Sequence, residues 1–316
     1  MDDQRKILRT GAAAILGALL LRLVMPVINA GGIWSLVILL QTGRLVQLPP
    51  EEVSTSVIAT EPAISTEPSF LQPIFSETDA TLVQLSNTSG YKIDIASLMT
   101  QPLPWEATPA VLILHTHGTE SYTKTEDYTE SSLYRTGNTG YNVVSIGDQL
   151  ATLLENAGIR VIHDRNMYDL ADYNSAYIAA RSGIQDALAA DPSICLVIDL
   201  HRDAAQDSAG TQVGRTVTTG KGQAAQLMFV MGTDAGGYEH PGWEENLSVA
   251  VKLQAGLEKL CPGICRPIQL RTSRYNQDLS AGALLVEVGF TGNTRQEALL
   301  ATEFLADAII TLTGIK

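Results

Sequence analysis

From Pro109 onward, short apolar runs alternate with stretches of helical spacing, and this alternation limits the fold more than any other feature of the chain. Ala110–Leu114, Ile159–Ile162, Ile194–Leu200, Ala225–Met231 and Leu284–Val288 are apolar runs of strand length, and Pro267–Leu270 is a weaker one. Such runs are the mark of strands buried on both faces of a sheet. Between them, Tyr141–Ala157 places Val144, Leu150 and Leu154 on one side and is stopped by Gly158. Ala176–Ala190 runs up to Asp191-Pro192, Glu244–Leu260 is amphipathic, and Arg295–Thr313 closes the chain. The pattern predicts an α/β fold, a mostly parallel central sheet with helices on both faces. The domain so defined spans 106–316, about 210 residues, enough for one substantial core. No internal repeat is present.

The residues before this domain differ in kind. Arg5, Lys6 and Arg9 precede an almost wholly apolar stretch, in which Leu23–Gln41 is an uncharged run of 19 residues. A membrane span needs roughly 20 apolar residues, so residues 1–44 read as a basic cytoplasmic end followed by an N-terminal transmembrane helix. The positive charges put the N-terminus inside and everything after Arg44 outside the cytoplasm. A cleaved signal peptide fits less well, because the apolar region is long and no small-x-small site follows it. A hairpin of two half-spans turning at Pro26–Gly32 is a further alternative. Residues 45–105 hold many Ser, Thr and Pro, with seven acidic residues from Glu51 to Asp94 against Lys92. That composition predicts an extended acidic linker with a short ordered patch near Leu82–Leu98. Its random-coil reach is roughly 40–45 Å.

The formal net charge of −13, from 21 Lys+Arg and 34 Asp+Glu, excludes broad electrostatic adhesion to nucleic acid. Three Cys are too few for a disulfide scaffold. Cys261 and Cys265 could close a small disulfide or stay independent thiols, and Cys195 lies in an apolar strand. No G-x-S-x-G elbow is present.

Polar groups follow three of the strands: His115-Thr116-His117-Gly118-Thr119-Glu120, Asp199-Leu200-His201-Arg202-Asp203 and Glu287-Val288-Gly289-Phe290. In parallel sheets ligands gather beyond the carboxyl ends of strands. His117 and Glu120, three apart on one turn, can face one metal ion. His201 would complete a His-Glu-His set, the donor count of a catalytic zinc site with one position open to water. Glu287 could then serve as general base to that water and as acid to a leaving amine. His115 is either an alternative ligand or a hydrogen-bonded group orienting one. Glu287 could instead be a buried carboxylate paired with Arg271 or Arg274. His163 lies on a strand without an acidic companion at ligand spacing, and His240 reads as part of a substrate rim. Neither enters the expected site.

The segments Leu112–Tyr122 (LILHTHGTESY), Arg135–Val143 (RTGNTGYNV), Val197–Ala204 (VIDLHRDA) and Asn276–Phe290 (NQDLSAGALLVEVGF) resemble stage II sporulation protein P. That family belongs among the type-3 zinc-dependent N-acetylmuramoyl-L-alanine amidases. The resemblance covers the domain from 106 to 316, and the anchor and acidic linker look like the family's arrangement. It implies a Zn2+ enzyme cutting peptidoglycan between N-acetylmuramic acid and the L-alanine of the stem peptide, with associated cutting of peptide cross-links, during engulfment of the forespore. It also implies two partners, stage II sporulation proteins D and M. His117 and His201 match the histidine ligands, and Glu287 matches the glutamate of the VEVGF-type segment. One departure stands out. The carboxylate ligand of type-3 amidases comes from a Glu at the start of the helix after the first loop, where this chain has Gly140-Tyr141-Asn142. Glu120 is the substitute, with Glu130 as fallback. Arg202, Arg215, Arg271 and Arg274 are candidates for holding substrate carboxylates, since guanidinium forks match that geometry. Two other readings stay open, a zinc carboxypeptidase or endopeptidase acting only on stem peptides, and a wall-binding scaffold without activity.

Overall fold

A computed structural model describes residues 73, 75–129, 131 and 133–315. The expected membrane span, linker residues 45–72 and 74, and Glu130 lie outside the described residues. No helix among the described residues is long and apolar enough to cross a membrane.

The described residues form nine strands and five α-helices. In chain order these are β1 (Leu85–Asn87), α1 (Ile95–Thr100), β2 (Ala110–Leu114), α2 (Val143–Asn156), β3 (Val161–His163), α3 (Ala176–Ala190), β4 (Ile194–Asp203), β5 (Thr216–Thr219), β6 (Gly222–Ala225), β7 (Leu227–Met231), α4 (Trp243–Leu260), β8 (Ile268–Leu270), β9 (Ala283–Phe290) and α5 (Arg295–Leu312). Seven strands form one sheet in the order β1-β8-β7-β9-β4-β2-β3, and β5-β6 is a separate hairpin. Every neighbouring pair in the large sheet is parallel except β7–β9. The sheet is therefore mostly parallel, as expected.

Alternation of side chains along the strands sorts the core into two faces. Val111, Ile113, Leu196, Ile198, Leu284 and Val286 share one apolar cluster with residues of α2, α4 and α5. Leu112, Leu114 and Val197 pack instead with Ala180 and Ile184 of α3. Helices thus cover both faces, α2, α4 and α5 with α1 beside them on one and α3 on the other.

Three expectations need correction. The run Ala225–Met231 is two strands, because the chain leaves the hairpin at Gln226, whose N–H donates to Arg215 O, before β7 enters the sheet. β4 continues three residues past Leu200, because His201 and Asp203 pair with Glu287 and Phe290 of an equally extended β9. Part of the predicted linker belongs to the folded domain: β1 pairs with β8 at the sheet edge, and Leu98, Met99, Leu103 and Trp105 are buried. The polar average of that stretch hides these apolar positions. Asp94 caps α1 by accepting from Ser97 N–H, and the Leu98 carbonyl at its other end accepts from Ser248 Oγ and Lys252 Nζ of α4.

Candidate active site

Register and alternation bring the strand-end groups together. Within β4, Asp199 and His201 lie on the same side as Val197, toward the α3 face. On β9, Glu287 is the direct partner of His201. The chain leaving β2 turns over residues 116–120 and is pinned by two buried aspartates. Thr116 N–H and Oγ1 donate to Asp199 at 2.8 and 2.6 Å. Thr119 N–H and Oγ1 donate to Asp169 at 3.0 and 2.5 Å. This turn presents His117 and Glu120 to a cavity of about 720 Å³ that His201 and Glu287 also line.

Distances within the cluster are short. His201 Nδ1 lies 3.3 Å from Glu120 Oε2, and its Nε2 lies 2.9 Å from Asp199 Oδ1 without making a hydrogen bond. The rings of His117 and His201 meet edge to face with centroids 5.4 Å apart. His117 also stacks on Tyr173 at 4.1 Å, and the Arg135 guanidinium sits 3.7 Å over that tyrosine ring. His117 Nδ1, His201 Nε2 and Glu287 Oε2 are buried with no hydrogen-bond partner.

The electrostatics differ residue by residue. Burial, and then the charge of His201, lower the pKa of His117 and favour a neutral ring. Burial works against a charged His201, but Asp199 and Glu120 outweigh it and raise that pKa well above the usual value. Glu120 is also buried, yet Arg202 and His201 hold it down at about 2. Burial pushes Glu287 up to about 8, with the Glu120 charge adding to the rise. Two carboxylates in one cavity are thus driven apart, the pattern that separates a permanently ionised group from a proton carrier.

Some expected residues fall elsewhere. His115 alternates with Leu114 onto the α2 face and does not line the cavity, which removes it as an alternative ligand. Its Nδ1 lies 3.0 Å from Leu200 O and its Nε2 2.9 Å from His163 Nε2. His163 does have an acidic companion, Asp148, 3.2 Å from its Nδ1 and brought from α2 by the fold. The two imidazoles fit only because residue 147 is glycine: a Cβ there would lie 2.6 Å from both Nε2 atoms. Gly147→Ala is expected to cost about 1–3 kcal/mol by overpacking, read as a lowered urea midpoint with unchanged slope.

The Arg202 guanidinium is buried at the wall of the cavity and held by its neighbours. Nε donates to Ser121 O at 2.8 Å, Nη2 to Tyr134 O at 2.7 Å, and Nη1 lies 3.5 Å from Glu120 Oε1. Neither Arg271 nor Arg274 pairs with Glu287. Arg271 donates to Gln269, and Arg274 lines a second cavity. Arg215 is exposed and lines neither. His240 is not a rim residue: it is 1% exposed, with Nε2 3.1 Å from Asn246 Nδ2. Cys261 and Cys265 are buried free thiols.

Sequence reasoning missed Asp169, Tyr173, Tyr177 and Arg135, and gave Asp199 no role. Asp199 was visible as a carboxylate two residues before His201 on the same strand face. Asp169 follows β3 in a loop whose polar character resembles the other strand-end groups. The aromatic residues carried no spacing signal.

Fold and cavity together define an α/β domain with a polar His/Glu centre at the carboxyl ends of three adjacent strands. The family described as Stage II sporulation protein P matches residues 66–310, and the chain belongs to that family. A curated relative, Stage II sporulation protein P of Bacillus subtilis (strain 168), is 31% identical over 210 residues, 62% of this chain and 49% of the relative. The chain thus spans about half the length of the curated relative it matches. Among solved structures, the CwlD amidase of Clostridioides difficile in complex with the GerS lipoprotein is similar with a TM-score of 0.41 and 18% identity, over 65% of this chain and 96% of that one. The catalytic domain of CwlV, an N-acetylmuramoyl-L-alanine amidase from Bacillus (Paenibacillus) polymyxa var. colistinus, has a TM-score of 0.40 and 11% identity, over 66% of this chain and 99% of that one.

Proposed function

We propose that the chain is a zinc-dependent peptidoglycan hydrolase that cleaves the amide between N-acetylmuramic acid and the L-alanine of the stem peptide. The observation that carries this reading is the meeting of His117, Glu120, His201 and Glu287 in one cavity at adjacent strand ends. Among the described residues no group of three or more His, Cys, Asp or Glu is already drawn together as a metal-holding set. The donor chemistry nevertheless fits zinc. Two imidazoles and a carboxylate are the ligand types of an open catalytic site, and a ring nitrogen on each histidine is buried without a hydrogen bond. His117, Glu120 and His201 would hold the ion. When bound, zinc supplies polarisation of the scissile carbonyl and activation of water near neutral pH.

The chain's own residues do the rest. Asp169, through Thr119, and Asp199, through Thr116, fix the turn that carries His117 and Glu120. Arg202 keeps Glu120 ionised. Glu287 Oε2 takes the proton of the attacking water and returns it to the leaving amine nitrogen, a role suited to a carboxyl poised near neutral pH. Peptidoglycan lies outside the membrane, where a single span with the N-terminus inside would put this domain. The acidic linker would let it sample wall close to the bilayer.

Incubating the full chain and zinc with purified peptidoglycan, and counting newly exposed amino groups, tests the reading. The wild type should release them and His201→Ala should not. A zinc-loaded wild type that releases none would overturn it.

A further inference from the structure

A second cavity of about 650 Å³ adjoins the first, and Tyr177 lines both. It follows from how the α3 face is covered. α3 packs over β2 and β4, whereas Met228, Val230 and Leu285 farther along that face lie beneath Tyr275 of the β8–β9 loop. The opening between helix and loop is the cavity.

Its loop wall is built with care for backbone position. Tyr275 and Asn276 hold left-handed φ values of 52° and 58°, a conformation unfavourable to a tyrosine unless its surroundings enforce it. Asn276 Nδ2 donates to Tyr177 O at 2.8 Å and so ties the loop to α3. Gly232 lets the loop approach, since a Cβ there would lie 2.4 Å from Ser273 O.

The wall carries a local charge opposite to that of the chain. Asp278 accepts two hydrogen bonds from Arg181, at 2.9 and 2.7 Å, and lies 3.3 Å from Arg274 Nη1. Two guanidinium groups against one carboxylate leave a net charge of +1. The rim adds exposed apolar surface from Ile178 and Tyr238, 76% and 64% exposed, with Arg274 5.1 Å over the Tyr238 ring. A cavity of this kind suits an extended ligand that alternates carboxylates with short aliphatic groups.

We propose that this second cavity is a binding subsite for the carboxylate-bearing part of the stem peptide, reached across Tyr177 from the scissile amide, with Arg274 as its carboxylate-binding group and Tyr238 as its apolar wall. The proposal rests on the hydrolase reading for the identity of the peptide, and direct binding separates the two. The full chain carrying Glu287→Gln is titrated with the stem tetrapeptide L-Ala-γ-D-Glu-meso-diaminopimelate-D-Ala, and with the same peptide amidated at its carboxylates. Arg274→Ala should weaken binding of the free acid about tenfold, the loss of one charged hydrogen-bonded contact. The amidated peptide should bind the parent about as weakly. Arg274 does not line the cavity holding Glu287, so on the active enzyme the same variant should raise KM while kcat stays within about twofold. Tyr238→Ala, at an exposed position where folding is not at stake, should weaken both peptides alike. Unchanged binding and KM in Arg274→Ala, or no binding by the parent at millimolar peptide, would overturn the subsite. Peptide binding that depends on Arg274, in a wild type that cleaves nothing, would uphold the subsite and overturn only the hydrolase reading.

Discussion

Replacing Glu287 by Gln is expected to lower kcat by about 10²–10⁴-fold, the usual contribution of a positioned proton-transfer group, and at the same time to make the metal-free protein more stable. The second effect follows from burial. The Glu287 carboxyl is pushed from an ordinary value of 4.5 up to about 8, and its Oε2 has no partner. Between those pH values the folded chain binds more protons than the unfolded one, so stability falls as pH rises from about 4.5 to about 8. Above that range the whole cost of the buried charge is present. Gln carries no charge and abolishes this slope. Thermal unfolding with chelator present should therefore place the variant roughly 5 °C above the parent at pH 8–9, with the difference vanishing below about pH 4.5. Equal pH slopes for the two proteins would show that Glu287 is not held against its ionisation. A group kept for stability would give the opposite result, so the combination of faster inactivation by heat and higher activity in the parent marks a functional carboxylate.

Arg202→Ala should be the most damaging single change in the domain. The residue is 5% exposed, and its removal leaves the Glu120 carboxylate without its strongest stabilising charge. The Ser121 and Tyr134 carbonyls lose donors as well. Breaking such a buried pair from one side costs about 3–5 kcal/mol, so the melting temperature should drop by roughly 10 °C. Activity should fall with it, because the pKa of Glu120 would rise and the carboxylate would compete with protons for its role. Arg202→Lys should rescue little, since an ammonium cannot reach two carbonyls and a carboxylate in a planar fork. Near wild-type stability in Arg202→Lys would mean that a point charge suffices there.

The parts of the fold visible in the sequence are those where a local signal and tertiary packing agree. Ala110–Leu114 and Ala176–Ala190 form as expected from an uninterrupted apolar run and from a helix ended by Asp191-Pro192. Strand-end placement of His117, His201 and Glu287 was likewise readable, because a parallel sheet carries polar residues at one edge. What was not readable depends on partners distant in sequence. β1 is three residues long and exists only because β8 offers an edge. The last residues of β4, His201-Arg202-Asp203, are polar and look like a loop until β9 is placed beside them. The face taken by His115 follows from the parity of β2, which a polar residue at a strand end does not announce. Asp169 reaches the site through Thr119, 50 residues away.

The most direct test of the account is the mass of the products released when the full chain with zinc digests intact peptidoglycan, with and without chelator. The account predicts stem peptides carrying a free L-alanine amino terminus, freed from intact glycan strands, and their absence when chelator is added or Glu287 is Gln. Shortened cross-links beside them would add peptide cutting to the same site. Products shortened only within the peptide, with every L-alanine still joined to N-acetylmuramic acid, would contradict it.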